Sequence, residues 1–305
     1  MSGPTIDPST ATRQYNCPWC GHASDASTMS CPRCGAPIDV TKAVTHSGWA
    51  KLPPIRDMTR IQFGDSTLQI EGKYVPVADF KLGAGAGIYF THHLLLWRDT
   101  QVKIGVMPMK GGWKRLFAGL PLVMAQATGP GRAAFSKDEP GELIVVPLDP
   151  GQSIDVREHV FMVATNTIAY DWFQTGIWFS TYGEKNSQEM HYPIGMFMDR
   201  FTATTGPGLA LLHGSGNVFE RRLADGESIL IKPTSLLFKD PSVRMHLHIE
   251  SPGGAQNFWG RSYMRYLWLR VHGPGRVAVQ SNYPPVEDPD RNLAGISNGS
   301  TQMTW

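Results

Sequence analysis

Apolar and polar residues alternate along most of the chain from Ile61 onward, which is the pattern of β-strands with one buried face. The alternating runs are short and are separated by turn residues, mainly Gly, Pro and Asp. No segment has a sustained apolar period of 3.6 residues, so helices are not predicted. The pattern predicts an all-β fold, with an antiparallel β-sandwich or β-helix-like domain over residues 61–282.

The same order of strands and turns recurs about three times. Three hairpins share one plan, an apolar run followed by a polar turn and a second strand, and they begin near His92, Glu158 and Thr234. Each is followed by a strand that leads to Gly-Pro-Gly, at residues 129–131, 206–208 and 273–275. Proline lacks a ladder donor and glycine allows positive φ, so each Gly-Pro-Gly ends one strand before the next begins. We therefore predict about three internal repeats.

The segments that flank this region lack the alternation. Residues 1–14 and 283–305 are rich in polar residues and proline and predict a disordered arm and a disordered tail. Residues 39–60 predict a linker. No run of 18 apolar residues occurs, and the first residues lack the basic-then-apolar order of a signal peptide. We expect no transmembrane segment, while peripheral membrane association stays open.

All four cysteines lie in residues 15–38, as two Cys-x-x-Cys pairs: Cys17 with Cys20 and Cys31 with Cys34. Four thiolates in this spacing can bind one zinc ion tetrahedrally, so the segment predicts a zinc ribbon. With four cysteine ligands no position is left for water, and the zinc is expected to be structural.

Two redox pairs or two disulfides are the alternatives for these cysteines. Redox motifs normally begin a helix within a βαβ unit, and no such pattern surrounds these cysteines, so zinc is the favoured interpretation. Confinement of every cysteine to this segment also favours a reducing, cytoplasmic location.

Composition and motifs argue against several classes of function. The 305 residues carry a formal net charge of +2, which gives no global reason to expect nucleic-acid binding. The sequence shows no basic–aromatic stripe, so no nucleic-acid partner is expected. It also contains no nucleophile elbow, P-loop or paired-carboxylate motif, and we expect that the protein is not an enzyme.

One histidine pair is a candidate metal site. Alternation along a strand places His246, His248 and Glu250 on one face, which could begin a cupin-like metal centre. The matching positions of the other repeats are not histidine, so a solvated strand face is the favoured interpretation. His92 and His93 are predicted to point to opposite faces of one strand.

The segment 171–182 is densely aromatic. Core filling is the favoured interpretation, and an interface with a subunit or partner is the alternative.

Three sequence features together resemble the "altered inheritance of mitochondria, twenty-four" family over about residues 62–282. They are Leu-Ala-Asp-Gly-Glu-Ser-Ile at 223–229, Phe-Lys-Asp-Pro-Ser-Val at 238–243 and Val-Ala-Val-Gln-Ser at 277–281, joined by the strand–Gly-Pro-Gly–strand segments. The resemblance implies a fold like that of the tryptophan RNA-binding attenuation protein, assembly into rings or trimers, and no catalytic residues to transfer.

The function we expect is a non-catalytic oligomeric scaffold or adaptor protein. It would form a homo-oligomer, with a trimer favoured by the resemblance, and would dock a protein partner through its zinc ribbon or its aromatic segment. The alternative is a cupin-like metal-dependent enzyme that uses His246 and His248.

Overall fold

The computed structural model describes residues 14–16, 22–25, 32–33, 49–51, 59–107, 124–183, 187–250, 266–285 and 293–297. The chain divides into two compact units, Met1–Pro53 and Pro54–Trp305. In the first unit, β1 (Gln14–Asn16) pairs antiparallel with β2 (Ala23–Asp25), and β3 is Ala50–Lys51. Within the described residues, no helix is long and apolar enough to cross a membrane.

The second unit begins with a hairpin and continues as three repeats. The hairpin consists of β4 (Thr59–Phe63) and β5 (Ser66–Glu71). The first repeat contains β6 (Val77–Leu82), β7 (Gly87–Thr91), β8 (Leu95–Arg98), β9 (Lys103–Val106), β10 (Met124–Thr128) and β11 (Gly131–Phe135).

The second repeat carries an inserted hairpin between its fourth and fifth strands. Its strands are β12 (Gly141–Leu148), β13 (Ser153–Arg157), β14 (Phe161–Thr165), β15 (Ile168–Gln174), the inserted β16 (Phe179–Tyr182) and β17 (Gln188–His191), β18 (Phe197–Ala203) and β19 (Gly208–Ser215). The third repeat contains β20 (Val218–Leu223), β21 (Ser228–Ile231), β22 (Leu236–Lys239), β23 (Arg244–Glu250), β24 (Tyr266–His272) and β25 (Gly275–Gln280), and β26 (Leu293–Ile296) follows it.

The three repeats share one antiparallel pairing scheme. In each, the sixth strand pairs with the first and third strands, and the fifth pairs with the second and fourth. The predicted all-β fold and its threefold repetition are therefore confirmed. Each repeat therefore contributes three strands to one sheet and three strands to another.

Neighbouring repeats are joined by strand pairing. β7 of the first repeat pairs with β14 of the second, and β13 of the second pairs with β22 of the third. These joins produce one sheet in the order β12-β19-β14-β7-β10-β9 and another that runs β15-β18-β13-β22-β25-β20 within this unit. Separate sheets are β4-β5-β6-β11-β8, β21-β24-β23 and β17-β16-β26.

A core of large apolar side chains lies between the sheet that ends in β8 and the sheet that contains β7. Phe80 and Phe135 from the first of these sheets join Ile88, Phe90 and Leu211 from the second in one buried cluster. The ring centroids of Phe90 and Phe135 are 4.6 Å apart. Because alternate residues of each strand point into this layer, the alternation seen in the sequence becomes a sandwich.

The segment that begins at His92 differs from its prediction. A single strand was expected, but residues His92–Leu94 form a short 3-10 helix before β8 begins. The rings of His92 and His93 lie edge to face, with centroids 5.4 Å apart, rather than on opposite faces of a strand. The third repeat has the same short helix at Pro233–Ser235, where proline suits the first helical position because its missing N–H is not needed there.

The C-terminal region also differs from its prediction. A disordered tail was expected over residues 283–305, but β26 forms within it and pairs with β16, with Ile296 opposite Phe179. Leu293 and Ile296 supply the large apolar side chains of this short strand. The strand was not predicted because the residues around it are mostly polar. Residues 286–292 and 298–305 of the predicted tail, and residues 1–13 of the predicted arm, lie outside the described residues.

A buried histidine should make stability depend on pH. His213 on β19 is 2% exposed, and its Nε2 lies 3.1 Å from the carbonyl oxygen of Glu139. Because a carbonyl only accepts, Nε2 carries the proton and donates. Burial lowers the pKa of His213, and the positive charge of Lys137 adds to that shift.

We expect the free energy of unfolding to fall as the pH drops from about 7.5 to about 5, because the unfolded chain takes up a proton at His213 more readily than the folded chain. The stability that the neutral His213 side chain contributes is fully present above the pKa that the residue has in the unfolded chain. It is lost as the pH falls through the lower pKa that the residue has in the folded chain. Denaturant titrations of wild type and His213→Gln across this range should show a shallower acid slope for the variant. Equal slopes would show that His213 is not the responsible group.

Candidate functional site

Two strands, β8 of the first repeat and β21 of the third, are each paired on one side only in the described part of the chain. β8 is the last strand of the sheet β4-β5-β6-β11-β8, and β21 is the first strand of β21-β24-β23. Their counterparts in the other repeats are β14 and β22 for β8, and β7 and β13 for β21. Those counterparts pair with each other across the two joins. β8 and β21 are therefore the two halves of a third join that is left open.

Conserved hydrogen bonds within the repeats fix which residues of β8, β14 and β22 are equivalent. In each repeat, a backbone N–H of the sixth strand donates to the side-chain oxygen of a residue at the end of the third strand. The residues just before these three acceptors are therefore equivalent. The three pairs are Arg132 to Asp99 at 2.8 Å, Leu209 to Thr165 at 3.1 Å, and Arg276 to Asp240 at 2.8 Å. Arg98 therefore occupies the place of Ala164 and Lys239.

Pairing with the fifth strand shows in the same way which residues of β7, β13 and β21 are equivalent. Gly87, Ser153 and Ser228 each lie opposite the same position of their fifth strands, at Thr128, Thr202 and His272. Leu230 therefore occupies the place of Tyr89 and Asp155.

The two closed joins have the same register. Ala164 lies opposite Tyr89 in the first, and Lys239 lies opposite Asp155 in the second. The next residues agree as well, since Val163 faces Phe90 and Phe238 faces Val156. Applied to the open halves, this register places Arg98 opposite Leu230 and Trp97 opposite Ile231.

Side chains of the open halves are more exposed than their counterparts. Leu96 is 58% exposed and Trp97 is 42% exposed. Their counterparts are at most 1% exposed: Met162 and Leu237 for Leu96, and Val163 and Phe238 for Trp97. The difference arises because β14 and β22 are each paired on both sides, whereas β8 is paired only with β11 among the described residues.

The join between the second and third repeats contains a buried ion pair. Lys239 Nζ lies 2.8 Å from Asp155 Oδ2, and both side chains are at most 1% exposed. Arg200 Nε lies 2.6 Å from Asp155 Oδ1. Burial lowers the pKa of Lys239 while Asp155 opposes that shift, and the hydrogen bond to Asp155 raises the pKa of Arg200. The carboxylate therefore links the two repeats electrostatically.

The predicted zinc ligands Cys17, Cys20, Cys31 and Cys34 lie outside the described residues. Their neighbours are described in part. β1 and β2 pair in the register Gln14 to Asp25 on either side of the first Cys-x-x-Cys in the sequence. Pro32 and Arg33, inside the second Cys-x-x-Cys, form a turn. A hairpin and a turn at these places are compatible with zinc knuckles, and the zinc ribbon stays a prediction.

Zinc analysis of the purified full-length protein tests that prediction. We expect one zinc ion per chain, and complete loss of the metal when Cys17 and Cys31 are both replaced by serine, since two thiolates hold zinc poorly. Replacing His246 and His248 by alanine serves as the control and should leave the zinc content unchanged. Zinc retained by the cysteine variant but lost by the histidine variant would show that the histidines bind it.

The candidate histidines His246 and His248 lie on β23, as their spacing predicted. His246 stacks on His272 of β24, with ring centroids 4.9 Å apart, and His272 Nε2 lies 3.3 Å from His246 Nδ1. Burial, and then the charge of neighbouring groups, lowers the pKa of His246 and of His272. Across the described residues, no three His, Cys, Asp or Glu side chains are grouped to hold a metal ion.

The aromatic segment 171–182 contributes to packing in the structure. Phe179 is 1% exposed and stacks on His191, with ring centroids 4.7 Å apart. Trp172 packs edge-on against Phe197 at 5.0 Å. Tyr182 alone among the large apolar side chains of this segment is mainly exposed, at 51%. These contacts favour core filling over an interface.

Comparison with known proteins places the repeat region in a family. Residues 68–282 match the sequence profile of the family described as mitochondrial biogenesis AIM24. The fold is similar to a crystal structure of a protein from Streptococcus pyogenes, at 15% sequence identity and a TM-score of 0.52. That likeness covers 72% of this chain and 94% of the other and concerns the fold alone. A search of curated proteins finds no match.

Proposed function

The chain belongs to the mitochondrial biogenesis AIM24 family, and from that premise we propose that it is a non-catalytic, self-associating scaffold in which β8 of one copy pairs with β21 of the next. The observation that supports this proposal most directly is the open third join. Two pairs of strands, β7 with β14 and β13 with β22, connect the repeats within the chain. Each copy would carry the two strands of a third such pair unconnected, β8 in its first repeat and β21 in its third. The occupant of each open edge is then a second copy of this chain.

The chemistry of the edges suits this pairing. An unpaired strand exposes a row of backbone donors and acceptors, and proteins commonly protect such edges by assembly. Leu96 and Trp97 are already about half buried, so burying them as fully as their counterparts would contribute about half of the ~1.5–3 kcal/mol that full burial of a large apolar side chain supplies. The backbone hydrogen bonds between β8 and β21 would fix which residues of the two strands lie opposite each other.

The two halves are different surfaces, so the contact is head-to-tail. Head-to-tail contacts generate rings when the rotation between copies closes and open filaments when it does not. The family resemblance favours closure at three copies. The zinc ribbon of each copy would then serve as a docking module for a protein partner, held in several copies around one assembly, in the cytoplasmic location that the cysteine usage favours.

Light scattering on the full-length protein tests the proposed self-association. We expect a molar mass that is a multiple of the 33.7 kDa chain at micromolar concentration. A single-chain mass at every concentration measured would contradict the proposal.

A further inference from the structure

One face of the sheet β21-β24-β23 carries planar and positively charged side chains. Residues of β24 alternate, so Leu267, Leu269 and Val271 are buried in the core while the residues between them point the other way. The outward side chains of β24 are Tyr266, Trp268, Arg270 and His272. They lie opposite Glu250, His248, His246 and Arg244 of β23.

The outward row of β24 has the spacing of a base-stacking platform. Tyr266, Trp268, Arg270 and His272 are successive planar side chains, separated by about 7 Å along the strand. Single-stranded nucleic acids are recognised by stacking of unpaired bases on aromatic rings, imidazoles and guanidinium planes displayed on a sheet. His246 extends the row sideways because it stacks on His272 at an interplanar angle of 20°.

Cations border the planar row. Lys232 Nζ lies 4.8 Å from the ring centroid of Trp268 and 5.6 Å from that of Tyr266. Arg244 is exposed at one end of β23, and Arg270 lies within the row. Among the outward side chains of these three strands the one acid is Glu250, which accepts a hydrogen bond from Trp268 Nε1 at 2.9 Å. The face is therefore positive, although the whole chain is nearly neutral.

We propose that this face binds single-stranded nucleic acid, with bases stacked on Tyr266 and Trp268 and phosphates held by Lys232, Arg244 and Arg270. The planar groups belong to β-strands rather than to a projecting loop, which suits bases better than insertion into a lipid surface. An acidic protein would use the cations but would not need a row of planar groups. The row itself is visible in the sequence as the alternation Tyr266-Leu-Trp268-Leu-Arg270-Val-His272, which predicted only a strand. Its charged border could not be predicted, because β23 and β24 are separated by residues 251–265.

Fluorescence anisotropy with a labelled single-stranded polyuridine oligonucleotide tests this site on the full-length protein. We expect binding that weakens with salt, as phosphate contacts require. Tyr266→Ala should weaken it by roughly 5- to 150-fold, the range for loss of one stacked base. Arg244→Ala should reduce the magnitude of the slope of log affinity against log salt by roughly 0.7, as expected for one phosphate contact to a single strand. Thermal melts confirm that each variant is folded.

Three comparisons separate stacking from simple charge attraction. Trp268→Phe keeps a ring but loses the N–H, so it should bind like wild type, whereas Trp268→Leu should bind weakly. Arg222→Ala, an exposed cation on β20, should have little effect. Equal binding by polyglutamate or by anionic phospholipid vesicles, no binding at low salt, or binding unaffected by Tyr266→Ala and Trp268→Leu would each overturn the proposal.

Discussion

Replacing Asp155 by asparagine is expected to lower the free energy of unfolding by about 3–5 kcal/mol, which is the typical cost of leaving a buried charge without its partner. Asp155 is fully buried and lies 2.8 Å from the ammonium of Lys239, which is 1% exposed. Asparagine has nearly the same shape, so the loss reflects charge rather than volume. Denaturant titration at neutral pH measures the change.

A double variant is the control for this prediction. Asp155→Asn combined with Lys239→Met removes both charges, and most of the lost stability should return, because an apolar side chain suits the site better than an unpaired ammonium. Arg200 is 29% exposed and can reach solvent in both variants. Equal unfolding midpoints for the single and double variants would contradict the role assigned to the ion pair.

Replacing Leu230 by lysine is expected to disrupt the assembly of copies while leaving each copy folded. In the closed joins the equivalents of Leu230, Tyr89 and Asp155, are at most 1% exposed. A lysine there would be buried opposite Arg98 of the next copy, and like charges directly opposite on paired strands are destabilising. We expect the dissociation constant to rise by about 100-fold or more, measured by analytical ultracentrifugation.

Tyr74→Lys provides the matched control for Leu230→Lys. Tyr74 is 76% exposed and lies in the turn between β5 and β6, away from both open edges in the strand order. It adds the same charge, so its assembly should equal that of wild type. Assembly of Leu230→Lys at wild-type concentrations would show that β21 is not the contact.

The elements with local signals could be predicted from the sequence. Alternation has a period of two residues, so short windows suffice to identify strands, and Gly-Pro-Gly marked the ends of the fifth strands. The family resemblance over residues 62–282 is confirmed by the match at 68–282. The 3-10 helix before β8 escaped prediction because the run Leu94-Leu95-Leu96 continues the apolar pattern through it.

Contacts between distant segments could not be predicted. Asp155 and Lys239 are 84 residues apart, and nothing local shows that they pair. The openness of β8 and β21 depends on which strands of neighbouring repeats meet, and those pairings also join residues far apart in sequence. The outward face of β23 and β24 could be recognised only in part, since β24 shows its alternating planar side chains in the sequence but its pairing with β23 joins segments separated by residues 251–265.

Cysteine cross-linking between two copies tests the proposed join most directly. Arg98→Cys and Leu230→Cys would be prepared in separately tagged full-length chains, then mixed and oxidised, since cross-strand neighbours are within disulfide reach. Arg98→Cys mixed with Arg244→Cys, on the far edge of the β21 sheet, controls for random oxidation and for the native cysteines. We predict a mixed disulfide only for Arg98→Cys with Leu230→Cys. No mixed disulfide from this pair, or an equal yield from the Arg244→Cys control, would contradict the account.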